Sequence, residues 1–293
     1  MSWFRPAGSL ATATDPVHLT PAAAGWAYSG LRVVDLGPGE ARTVSLHGVE
    51  AAVIPLQGGC TVDGDGFEFT LEGRSSVFEA GTDLCYLPAG AAPAAEATIS
   101  SEGGGRFAVA TARTDEVREP HYYPAEGISV EMRGAGQATR QINGLLSADV
   151  DGPHRLIVVE VLTPGGNWSS YPPHKHDEWT DTEVPLEEIY FFQVRGEQGF
   201  GLHRTYTTGD PSGVDIDETV TVRSDDVFLI PRGYHGPCVA APGYDLYYLN
   251  VMAGPDPERR WLICTDPDHE WLLDGWEAAT PDPRLPMYRE ETS

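Results

Sequence analysis

Asp226-Val227-Phe228-Leu229-Ile230-Pro231-Arg232-Gly233-Tyr234-His235 decides the fold, because the chain carries the pattern twice. The first copy is Asp83-Leu84-Cys85-Tyr86-Leu87-Pro88-Ala89-Gly90-Ala91-Ala92: an Asp, four mostly apolar positions, Pro, any residue, Gly. A short apolar run stopped by Pro-x-Gly reads as a buried strand entering a turn. Upstream of each copy lies a β-like run ending in glycine, Val53 to Gly58 and Ile189 to Gly196. Two copies of one β unit are the economical reading. Working outward, further short runs repeat the same texture: Phe67 to Leu71, Leu156 to Val161 and Tyr247 to Val251. The 33 glycines and 24 prolines fall between such runs as punctuation, and no segment shows a long amphipathic helical period with start and stop signals. The expectation is an all-β sandwich or barrel architecture. The polar, Pro-containing stretch Thr114 to Gly127 marks the boundary, dividing the chain into 1–125 and 126–293.

The copies differ in chemistry. The second has His235 where the first has Ala92, and it carries His174-Lys175-His176, to which the first has no counterpart. On a strand, His-x-His puts both imidazoles on one face, and neutral imidazole is the commonest nitrogen ligand for transition metals. A carboxylate and a third His complete a site with open positions. Glu188 begins the strand Ile189-Tyr190-Phe191-Phe192, and His235 follows the turn. The expected metal ligands are therefore His174, His176, Glu188 and His235. Asp177, Glu178, Glu183 and Glu187 are rival oxygen donors.

The 293 residues carry 19 Lys+Arg against 44 Asp+Glu, a formal net charge of −25. That balance argues against nucleic acid and anionic membranes as partners, since both bind through Lys and Arg. Neither a secretory signal nor an apolar span is readable, and the four scattered cysteines form no Cys-x-x-Cys pair. The expectation is a cytoplasmic protein with reduced thiols. Its single lysine, Lys175, lies between two of the candidate ligands.

Gly166, His174, His176, Glu188 and Gly196, followed by Asp225, Pro231, Gly233 and His235, resemble the two motifs of the cupins. In those small β-barrels, three His and one Glu hold a divalent metal. The chain departs from the pattern with 11 residues between His176 and Glu188, where three or four are usual, and with a turn one residue shorter. A closer resemblance covers most of the chain. Tyr171-Pro172-Pro173-His174-Lys175-His176-Asp177, Leu186 to Tyr190, Gln198 to Gly201, Pro231 to His235 and Pro242 to Gly254 look like the 5-deoxy-glucuronate isomerase family of myo-inositol catabolism. So do Arg133-Gly134-Ala135-Gly136, Arg140-Gln141-Ile142-Asn143, and Trp261 with Asp266 to Trp271. That family is similar to the pectin-pathway ketol-isomerase of a deoxy-hexosulose-uronate.

The resemblance implies a bicupin: two jelly-roll barrels with few short helices, the N-terminal one without ligands. It also implies a metal-dependent aldose–ketose isomerase that turns 5-deoxy-D-glucuronate into 5-dehydro-2-deoxy-D-gluconate. The enediolate between them needs charge stabilisation and no redox change, so Zn or Mn serves as well as Fe. Lys175, Tyr190 and Tyr248 are candidates for acid–base work, although strand alternation points Lys175 away from its neighbours' face. A sugar-acid substrate calls for arginine, and Arg204, Arg232, Arg133 and Arg140 are the candidates. A metal-dependent cupin dioxygenase and a non-catalytic sugar-acid-binding bicupin are the alternatives, and a homo-oligomer is left open.

Overall fold

The computed structural model describes residues 2–92, 94–209, 213–276 and 279–288. All of the apolar runs become strands, and the two copies fold alike. In the N-terminal half, strand Val49–Gly64 lies between Leu84–Leu87 and Gly105–Arg113, and the latter pairs with Ser29–Leu36. In the C-terminal half, strand Glu187–Val194 lies between Val227–Ile230 and Leu246–Ala253, and the latter pairs with Ile157–Thr163. Registers match as well: Ala51 stands opposite Leu87 as Glu188 stands opposite Ile230. The architecture is that of a bicupin, and Ala51 occupies in the first copy the place of Glu188 in the second.

Side-chain alternation at period two explains why the second copy has an interior of its own. Ile189 and Phe191 pack into a core that joins both halves, with Leu31, Ile54, Leu84, Val158 and Leu249. Tyr190 and Phe192 point the other way, into the C-terminal barrel with Val161, Phe228 and Tyr248. The N-terminal barrel is filled instead by Val34, Val53, Val62, Leu71, Ile99 and Phe107. Each such side chain contributes about 1.5–3 kcal/mol on burial. The interior of that barrel is apolar where the second copy places Glu188.

The C-terminal barrel is closed by a second sheet, Asp217–Val222, Gly201–Tyr206, Tyr234–Ala240, His174–Lys175 and Cys264–Thr265, in that order. The His-x-His strand is shorter than alternation alone suggests: only His174 and Lys175 are in the ladder. His176 lies just past its end, where its carbonyl accepts the Leu186 N–H at 3.0 Å. Gly233 holds φ +93°, and a Cβ there would meet the Tyr206 carbonyl at 2.6 Å, so the Pro-x-Gly-x-His turn requires glycine.

Two features cross between the halves. Phe4 and Arg5 pair with Phe228 and Val227, so the chain's first strand edges the C-terminal sheet. Two carboxylates at equivalent register positions clamp the halves reciprocally. Glu187 accepts the backbone N–H groups of Ala27, Tyr28 and Ser29 at 2.7, 2.8 and 2.8 Å. Glu50 accepts those of His154, Arg155 and Leu156 at 2.8, 2.6 and 2.8 Å. Between the halves the fully buried Arg74 guanidinium meets Glu160 through two bonds, of 3.0 and 2.8 Å. Among the described residues no helix is long and apolar enough to cross a membrane.

Candidate metal centre

His176, Glu188 and His235 come from three different places in the barrel, and one ligand atom of each lies within 4.8 Å of the others. Glu188 Oε2 is 3.0 Å from His176 Nε2 and 3.2 Å from His235 Nε2. Each group has its other end fixed. His176 Nδ1 is 3.2 Å from the Leu186 carbonyl, which assigns the proton to Nδ1 and leaves Nε2 as a lone-pair donor. Asn250 Nδ2 donates to Glu188 Oε1 at 3.0 Å and leaves Oε2 to the cluster. Both ring nitrogens of His235 are buried without a hydrogen-bond partner. An orphaned imidazole beside a buried carboxylate is costly unless a cation sits between them.

His174 stands outside that set of three but beside it. It lies directly opposite His235 across the ladder, with ring centroids 4.3 Å apart, whereas the His176 ring is 6.3 Å away. Burial pushes the His174 imidazole well below its ordinary value, and neighbouring His235 and His176 push it further. Burial also lowers His235, partly offset by Glu188. For Glu188, burial works toward the neutral acid, but His176 and His235 outweigh it and hold the carboxyl below its usual range. For His176 burial favours the neutral ring, but the hydrogen bond to Glu188 outweighs it and raises the imidazole above its ordinary value. Three imidazoles around an ionised carboxylate form a donor set that fits a divalent transition metal.

The rival oxygen donors are engaged elsewhere. The Lys175 ammonium reaches Asp177, Glu178 and Glu183 at 3.0, 3.0 and 2.8 Å. Burial favours a neutral amine, but the hydrogen bonds to Glu183, Asp177 and Glu178 dominate and hold Lys175 above the ordinary lysine range. Its ammonium is held by three carboxylates, which makes it the knot of the loop after His176. That knot also ties the turn before His235, since Asp177 Oδ2 accepts the Gly233 N–H at 2.8 Å, two residues earlier. Glu187 is spent on the N-terminal half.

A cavity of about 400 Å³ opens beside the cluster, lined by His174, Tyr190, Tyr248, Asn250 and Ser170 and roofed by Trp261 and Trp276. Of the four arginine candidates, Arg133 and Arg140 line it. Arg133 is paired with Glu131 at 2.9 and 2.8 Å. Arg204 does not line it: it lies on the surface, held by Asp217 at 2.8 and 2.9 Å. Arg232 lies on a different cavity, of about 530 Å³, with His176, His235 and Trp26, and its Nε is 3.8 Å from Asp177. Tyr190 and Tyr248 face the cavity as strand alternation predicts. Their hydroxyls lie 3.1 and 3.3 Å from one shared Ser170 Oγ, and Tyr248 also donates to Ser169 at 2.9 Å. Burial pushes both phenols above the ordinary tyrosine range.

Ser170, Asn250 and His203 escaped the sequence reading. Ser170 holds φ +45°, a strained value for a residue with a side chain. Asn250 did carry a signal, a polar residue two positions after Tyr248 on an apolar strand and so on its face. His203 is fully buried against Tyr190 and Phe228, with Nδ1 3.1 Å from Cys238 Sγ, and burial lowers its pKa to about 3. The segment after Trp261 closes the cavity mouth. Its strand Cys264–Thr265 pairs with His174–Lys175, and Tyr206 donates to Asp266 at 2.5 Å.

Residues 4–272 match the model of the KduI/IolB family. The 5-deoxy-glucuronate isomerase of Geobacillus thermodenitrificans is 40% identical over 266 residues, which cover 90% of this chain and 93% of that protein. The protein of the same name from Listeria innocua is 38% identical, covering 84% and 88%. The crystal structure of an IolB-like protein from Salmonella typhimurium superposes with a TM-score of 0.83 at 32% identity, covering 92% of this chain and 98% of that one. An oxalate decarboxylase from Lactobacillus farciminis, in complex with formate, shares the fold at 14% identity, with a TM-score of 0.58 and coverage of 85% and 82%.

Proposed function

This chain belongs to the KduI/IolB family, and from that membership we propose that it is an aldose–ketose isomerase converting 5-deoxy-D-glucuronate to 5-dehydro-2-deoxy-D-gluconate in myo-inositol catabolism. The observation that carries the reading is the identity to proteins of that activity over nearly the whole of both chains. The site supports it, because three buried groups converge beside a cavity of a size for a six-carbon sugar acid.

His176, Glu188 and His235 would hold a divalent metal, with His174 as the fourth ligand from the facing strand. Zn or Mn is our assignment, with Fe able to serve. Such an ion, when bound, supplies Lewis-acid stabilisation of enediolate charge. The chain's own groups do the rest. Asn250 and the Leu186 carbonyl keep two ligands aimed. The aromatic roof excludes water and strengthens every charge interaction beneath it. Tyr190 and Tyr248 present hydroxyls to the substrate, and Ser170 sets their direction. The unit that carries this chemistry is 126–293, completed by the strand Phe4–Arg5, and 1–125 is its ligand-free copy. The location we assign is the cytoplasm, consistent with four free cysteine thiols.

The test is turnover under nitrogen of protein loaded with Zn or Mn, followed by carbon NMR on 5-deoxy-D-glucuronate. Conversion without oxygen is expected, with activity and metal lost together in His176→Ala and His235→Ala. A requirement for oxygen would replace this reading with a dioxygenase. Metal and sugar-acid binding without an isomer shift would replace it with a binding protein.

A further inference from the structure

The cavity holds a positive charge that no counter-ion meets among the described residues. Among the described residues three arginines are more than nine-tenths buried: Arg74, Arg140 and Arg259. Arg74 is matched by Glu160. Arg259 is spent on the carbonyls of Leu156, Ala148 and Val150. Arg140 differs from both. Its Nη1 donates to the carbonyls of Ala138 and Tyr171, each at 3.2 Å, and no carboxylate pairs with it among the described residues. Burial pushes its guanidinium down to about 10, the direction expected of a charge stripped of water without an anion in return.

An arginine has five N–H donors in a fixed plane. With Nη1 committed to two carbonyls, Nε and Nη2 remain, and these two present the parallel pair of N–H groups that a carboxylate's two oxygens match. The guanidinium is also fixed in attitude, its Cζ 5.6 Å from the centre of the Trp276 ring, and Trp276 itself roofs the cavity. Arg133 cannot play this part as it stands, since Glu131 takes its fork. We propose that Arg140 is the anchor for the substrate's carboxylate, so that the cavity is a two-ended site with the anion under Trp276 and the opposite end of the sugar acid at His174 and Asn250. Selection for an acid over the corresponding neutral sugar follows, because the neutral molecule leaves Arg140 buried and unpaired. The inference rests on the isomerase reading only for the identity of the substrate.

The test separates the two. Binding of D-glucuronate and of neutral D-glucose to metal-loaded protein is measured by calorimetry, and turnover of 5-deoxy-D-glucuronate is measured in parallel. Wild type is expected to prefer the acid, and Arg140→Gln to lose about 10- to 100-fold in glucuronate affinity, the scale of a lost charge-assisted contact. Glucose binding stays put, and the cost in turnover falls on KM rather than kcat. Arg140→Lys keeps a donor for the two carbonyls and recovers part of the loss, and Arg204→Ala matches wild type. Glucuronate bound within twofold by Arg140→Gln, or glucose lost in equal measure, would overturn the anchor. Wild-type protein that binds the acid selectively through Arg140 but turns nothing over would leave the anchor standing and overturn the isomerase.

Discussion

Replacing Lys175 by Met tests whether the lone lysine ties the ligand loop. Met preserves length and apolar stem while removing the charge, so three carboxylates are left facing one another, with one oxygen of each within 4.8 Å of the others. Glu178 is 43% exposed and its repulsion is largely screened, but the side chains of Glu183 and Asp177 are only 1% and 17% exposed. For Glu183 and Asp177, two unit charges no more than 4.8 Å apart in a medium of effective dielectric about 20 repel by at least about 3.5 kcal/mol. Removing one partner of a buried ion cluster costs about 3–5 kcal/mol, in agreement. The variant should unfold about 6–12 °C lower than wild type at pH 7.5. The pH dependence has a definite sign. In the wild type, burial works against the Asp177 carboxylate, but hydrogen bonds from Lys175 and the Gly233 N–H hold its pKa below the ordinary range. The stabilisation from Lys175 is therefore present above the unfolded Asp value of about 3.9 and is lost only as pH falls through the lower folded value. In the variant, repulsion raises the carboxylates, which take up protons first. The gap in stability should be widest at pH 7–8 and narrow toward pH 5. Thermal unfolding across that range, with elemental analysis of bound metal, is the assay. An unchanged midpoint, or a gap as wide at pH 5 as at pH 8, would refute the reasoning.

Two neighbouring carboxylates make a second test: Glu188→Gln should lose bound metal by elemental analysis. Glu187→Gln should keep its metal while losing about 1–3 kcal/mol in urea unfolding, since three backbone N–H groups lose an anionic acceptor. The reverse pattern would move the oxygen ligand by one residue. At Ser170, both Ser170→Ala and Ser170→Gly delete the hydroxyl, but only glycine accepts φ +45° without strain. Ser170→Gly should be the more stable of the two by about 1–2 kcal/mol, and equal denaturation midpoints would show that no strain is stored there.

Much of the fold was legible because strand alternation and Pro-x-Gly punctuation are local signals. The repeat from Asp83 and from Asp226 gave the duplicated unit, and the register of Ala51 against Glu188 shows why one copy has an apolar interior. The placement of Glu188 and His235 was legible for the same reason, since each lies near the start of a strand whose face is set by period two, whereas His176 lies just past the end of its strand. What was not legible depends on contacts distant in sequence. Nothing local distinguishes Arg140 from Arg204, because the difference is whether an acid stands nearby in space, as Asp217 does for Arg204. Nor does spacing show that Lys175 would gather Glu183 from eight residues on. The Trp261–Trp276 roof depends on where the C-terminal segment crosses the barrel mouth, which no periodicity encodes.

Glu187 and Glu188 are consecutive, and strand alternation sends one to the N-terminal half and the other to the candidate metal. The docking of one half on the other is therefore anchored a single peptide bond from the chemistry. A shift of the N-terminal half would pull on the strand that carries Glu188. The N-terminal half thus serves as the jig in which the strand of Glu188 is held true.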